Sequence, residues 1–132
     1  MANGQIFTTA GNKMVFNRAF KETPDYAAPT VFMMGTGTTT PAASQTALVT
    51  PVDLDGDNIK EFVSGYPTFD ETNLQVTYRC FLNSLEANGN SLSEFGIFNE
   101  DASPIMISRT VFTPITKTAA VEISIIEKEK MI

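Results

Sequence analysis

Apolar and polar residues alternate with a period of two along much of this chain, and most densely over residues 93–112. Phe95, Ile97 and Asn99 alternate with Glu94, Gly96 and Phe98. The run Asn99-Glu100-Asp101-Ala102-Ser103-Pro104 then supplies turn chemistry, because Asn and Asp bond their own backbone and Pro bars a continued ladder. Beyond it, Ile105, Ile107, Arg109 and Val111 alternate with Met106, Ser108, Thr110 and Phe112. The pattern predicts a β-hairpin. Both faces of both strands carry apolar residues, so the hairpin is expected to be covered twice: once by the core, and once by a second sheet or a neighbouring subunit.

The same reading predicts further strands. Over residues 74–82, Leu74, Val76, Tyr78, Cys80 and Leu82 form a continuous apolar face. Residues 30–34 are apolar on both faces. Residues 48–52 suit an edge, because Pro51 interrupts them. Residues 59–66 and 117–126 complete the set, the last through Val121, Ile123 and Ile125. Residues 67–73 and 86–90 read as a turn and a flexible loop, and 127–130 as a charged, solvated tail. One helix is predicted over residues 12–20, docking through Val15, Phe16, Ala19 and Phe20. It is too short to be stable unless it docks. Residues 1–9 are expected to be extended or mobile. The sum is a mainly β protein, an antiparallel β-sandwich of six to seven strands with one short N-terminal helix. It forms one domain over residues 1–132, with residues 1–29 as arm, helix and connector.

Composition narrows the function. At 132 residues the chain buries about two-thirds of its unfolded surface and needs no metal or disulfide staple. The net charge is −6, and the nine basic residues are scattered, which argues against a nucleic-acid partner. Charged residues make up 18%, against about 25% in an ordinary soluble domain, which fits a surface partly covered by neighbours. No apolar run approaches the roughly 18 residues of a membrane span, and no membrane partner is expected. Residues 1–10 lack a basic start and an apolar core, so synthesis in the cytoplasm is expected.

Candidate chemistry is sparse. Histidine is absent, which removes the commonest general base. Cys80 falls in an alternating strand pattern and reads as a small hydrophobe. Asp70, Glu71, Glu94 and Glu100 all read as exposed acids at turns or strand ends. No enzyme and no cofactor are expected. Gly35-Thr36-Gly37 lacks the third glycine and following helix of a dinucleotide loop, so its glycines read as turn residues. Asp53, Asp55 and Asp57 occupy the first, third and fifth positions of a calcium-type loop. Asn58 and Ser64 stand where that loop needs Gly and Glu, so these acids form only a weak calcium candidate.

Three ordered pieces carry a resemblance. They are Ala10-Gly11-Asn12-Lys13 through Phe20; Met34-Gly35-Thr36-Gly37 through Pro41 with Gln45-Thr46-Ala47-Leu48; and Glu94-Phe95-Gly96-Ile97-Phe98-Asn99 followed by Ile107-Ser108-Arg109-Thr110 and Pro114-Ile115-Thr116-Lys117. This order resembles the N-terminal particle-attachment domain of phage tail-collar fibre proteins. The tryptophan pair that often precedes the Glu in those fibres is missing. The resemblance marks Gly35, Gly37, Glu94, Gly96, Phe98, Arg109 and Lys117 as structural motif residues, with Glu94 either pairing with Lys117 or bonding turn amides. It implies a non-enzymatic virion protein made in the host cytoplasm: a stand-alone, homo-oligomeric decoration, collar or adaptor module whose partners are other capsid, neck or tail proteins. The alternatives are a calcium- or ligand-binding soluble β module and a receptor-binding fibre tip.

Overall fold

The structure, a computed structural model, describes residues 5–130. Eight strands and one helix follow in the order β1 (Gln5–Phe7), α1 (Thr9–Phe20), β2 (Pro29–Gly35), β3 (Lys60–Glu61), β4 (Thr68–Asp70), β5 (Gln75–Leu82), β6 (Ser91–Asn99), β7 (Met106–Thr116) and β8 (Ile123–Lys130). They make two antiparallel sheets, one ordered β1-β7-β6-β2-β3 and the other β4-β5-β8. The fold is a two-sheet sandwich rather than a closed barrel, as the alternation predicts.

The hairpin is the β6–β7 pair, and β6 is buried over nearly its whole length. Its turn is closed by Asn99, whose Oδ1 accepts the Ile105 amide at 2.8 Å while its Nδ2 donates to Asp101 at 2.9 Å and to the Ala27 carbonyl at 3.2 Å. On one face Phe95 and Ile97 enter the main core with Phe32, Met34, Tyr78, Cys80 and Leu82. On the other, Phe98 joins a second cluster with Val31, Leu48 and Met106. Leu48 belongs to the irregular segment between β2 and β3. The second cover is therefore the chain's own connecting segment, and neither a second sheet nor another subunit is needed there.

Several local expectations are corrected. The helix begins at Thr9 because the buried Thr8 caps it, its Oγ1 accepting the Gly11 amide at 2.8 Å. Its buried residues are Gly11 and Met14, while Phe16 and Phe20 are 68% and 77% exposed and pack on each other. Glycine decides this orientation: a Cβ at Gly11 would lie 2.6 Å from the Ile107 carbonyl oxygen, so only glycine lets α1 approach β7 this closely. Of the stretch 1–9 expected to be extended or mobile, Gln5–Phe7 is extended as β1, paired to β7, and residues 1–4 lie outside the described residues.

Residues 48–52 form no strand, only a bridge between Gly35 and Pro51, because a side chain takes the Val49 and Thr50 amides. Residues 59–66 contract to β3, and the expected turn at 67–73 contains β4. Leu74 lies outside β5 and is exposed. The loop at 86–90 is tied down: buried Glu86 accepts from Lys60 and from the Asn83 amide, and the Ala87 amide bonds the Leu54 carbonyl at 2.9 Å. The last strand starts at Ile123 rather than residue 117 and runs through the supposed tail. There β8 pairs with β5 along its length and turns Glu127 and Glu129 inward, with Lys128 and Lys130 outward.

Candidate functional site

Strand alternation turns Glu94 of β6 toward the segment covering the sheet, and that segment closes on its carboxylate. Oε1 accepts the Val49 amide and Arg109 Nε, each at 2.9 Å; Oε2 accepts the Gly37 amide at 2.7 Å and the Thr50 amide at 2.8 Å. Arg109 reaches across from β7, where it stands opposite Gly96. Its Nη1 donates to the Thr39 carbonyl at 2.7 Å and to Gln45 Oε1 at 3.3 Å, while Nη2 has no partner. Neither side chain of the ion pair is exposed. Burial pushes the Glu94 carboxyl up, but the Thr50 and Val49 amides, Arg109 and the Gly37 amide outweigh it and hold the group below its ordinary value.

Two glycines make the closure possible. A Cβ at Gly37 would lie 2.3 Å from Glu94 Oε2, and one at Gly35 would lie 2.3 Å from the Thr50 carbonyl oxygen. Ser93 Oγ completes the clasp by donating to the Gly37 carbonyl at 2.9 Å. Gly35, Gly37, Glu94 and Arg109, drawn from three separate stretches, thus meet at one point, and Gly96 and Phe98 lie on the same face. Sealed and fully bonded on the carboxylate side, the arrangement fixes a loop onto a sheet; it leaves no carboxylate lone pair free for a substrate.

Lys117 does not join it. Its buried ammonium donates to Asn88 Oδ1 at 2.8 Å and to the Thr118 carbonyl at 3.2 Å, while its backbone pairs with Gly89 and Asn90. Glu94 therefore takes the turn-amide alternative and pairs with Arg109. Glu94 is also buried within a strand, unlike Asp70, Glu71 and Glu100, which are exposed. Asp53, Asp55 and Asp57 are exposed, and their loop is anchored by buried Leu54 between them. Among the described residues no group of three His, Cys, Asp or Glu side chains could hold a metal ion. Cys80 is fully buried, and burial pushes its thiol well above the ordinary value.

A second site escaped the sequence reading. Under α1 lies a cleft of about 740 Å³, walled by Phe7, Met14, Val15, Val76 and Ile107, with Glu129, Asn12, Arg18 and Lys130 as polar parts of its lining. Glu129 is 4% exposed, and neither carboxylate oxygen has a hydrogen-bond partner. Burial lifts its carboxyl to about 7, with the nearby Ser108 hydroxyl acting the other way. Two residues back, Glu127 is lifted to about 8 by burial and by the charge of Glu129, with Thr110 acting the other way at 3.4 Å; the Gln5 side-chain amide also donates to it. The signal was present in the alternation: Ile123, Ile125, Glu127 and Glu129 continue one inward-facing series.

No protein-family model matches the chain, no curated protein matches it, and no solved structure matches its fold.

Proposed function

We propose that this protein is a non-enzymatic structural module of a bacteriophage particle, a homo-oligomer attached to capsid, neck or tail proteins. The observation that carries the reading is the clasp. The residues that bear the resemblance to fibre attachment domains, Gly35, Gly37, Glu94 and Arg109, converge on one sealed ion pair that locks a loop onto the central hairpin. Such residues serve shape rather than turnover, as expected of a part that must hold its form while neighbours pack on it. The exposed Phe16–Phe20 pair, with ring centroids 5.0 Å apart, supports the oligomeric half of the proposal as an apolar surface suited to a neighbour. Mass spectrometry of purified particles, with light scattering on the isolated protein, tests it. The protein is expected in the particle and above monomer mass in solution; its absence from the particle overturns the proposal.

A further inference from the structure

Glu127 and Glu129 are adjacent inward positions of β8, buried between the sheets. A buried carboxylate is stable only when paired with a cation or richly hydrogen-bonded. Glu94 meets that requirement and Glu129 does not. The ion pairs among the described residues join Lys21 to Asp25, Lys60 to Glu86 and Arg109 to Glu94, and none reaches β8. The groups around the two acids are neutral or anionic: Tyr78 and Cys80 on β5, Ser108 and Thr110 on β7, and Gln5 on β1. Two cations, Arg18 and Lys130, line the same cleft, and neither forms an ion pair with Glu129. Arg18 donates to the Tyr26 carbonyl at 2.6 Å, and Lys130 points outward from its strand.

The vacant partner position opens onto an apolar cleft whose volume falls in the range of small-molecule sites, roughly 300–1,000 Å³. We propose that the cleft under α1 binds a small amphipathic amine, its apolar chain lying against Met14, Val15 and Val76 and its ammonium meeting Glu129. Charge complementarity selects this occupant. An ammonium offsets the burial of two adjacent acids, a neutral alcohol offers only a hydrogen bond, and a carboxylate adds a third like charge. The site is separate from the clasp and independent of any role in a particle.

Calorimetry on the full chain tests this at about pH 9, where both acids ionise. Octylammonium, octanol and octanoate share one apolar chain and differ in the head group. Octylammonium is expected to bind at least about tenfold more tightly than octanol, with octanoate weakest. Glu129→Gln is expected to remove that advantage and leave octanol unchanged. Val15→Trp, which fills the cleft, is expected to abolish binding of all three. Equal affinity for octylammonium and octanol, or no binding of octylammonium to the wild-type protein, overturns the proposal. This comparison of ligands needs no variant, so it decides the matter even where a substitution impairs folding.

Discussion

Glu94 and Glu129 are both buried glutamates on strands of one small sandwich, and their surroundings drive them in opposite directions. Around Glu94, three backbone amides and a guanidinium aim at two oxygens, and the charged form is favoured. Around Glu129 the walls are mainly apolar, no cation pairs with it, the charge of Glu127 lies close by, and the neutral form is favoured. Burial alone therefore says little about what a carboxylate does. The number of donors delivered to it decides, and donors are delivered by the backbone of a loop that has first been bent to the right place.

The contrast has consequences for stability against pH. Glu94, held below the ordinary value of 4.5, contributes stability that is present above that value and lost as pH falls through the folded value. Glu127 and Glu129 are raised from 4.5 to about 8 and about 7, so their contribution is complete below 4.5 and lost as pH rises through those values. The two regions together place maximum stability near pH 4.5, where the Glu94 contribution is complete and that of Glu127 and Glu129 is only beginning to be lost.

Substitutions sharpen the contrast. The largest effect belongs to the clasp: Glu94→Ala leaves Arg109 buried and unpaired and three amides without their acceptor, and should cost about 3–5 kcal/mol in denaturant unfolding at neutral pH. A loss under about 1 kcal/mol would mean that the clasp is held by packing rather than by charge. Next comes Glu129→Gln, which should stabilise the protein by about 1–3 kcal/mol near pH 9 and leave it unchanged near pH 4, where the carboxyl is already protonated. Thermal melts at the two pH values check this, and equal effects at both would contradict the raised value. The smallest is Thr110→Val, which removes a long bond to Glu127 and should cost under about 1 kcal/mol while moving the Glu127 titration upward, as read by NMR.

Much of the fold was legible in the chain. The hairpin and the inward face of β5 follow from alternation over long runs, and in β5 a one-residue slip would turn the whole apolar face outward. The clasp residues were legible as a group only through their order along the chain. Their meeting was not, because Glu94 looked like any acid at a strand end until the amides of Gly37, Val49 and Thr50 were seen around it. The docked side of α1 was misread for a related reason: the pattern points to Phe16 and Phe20, but closeness to β7 is set by the missing side chain of Gly11.

By itself the sequence determined the long strands β2, β5, β6 and β7, the sandwich class, and a buried role for Tyr78, Cys80, Leu82 and Ile97, because side-chain periodicity is a local property of the backbone. It marked Gly35 and Gly37 as turn residues; that a Cβ at either would collide with Thr50 or Glu94 came from the tertiary structure. Only the tertiary structure decided that the outer face of the hairpin is covered by the chain's own loop, that Glu94 chooses Arg109 over Lys117, and that Glu127 and Glu129 are buried against the facing sheet. Each of these depends on which distant segment arrives at a given face. That is a matter of loop closure and packing between residues tens of positions apart, on which local pattern carries no information.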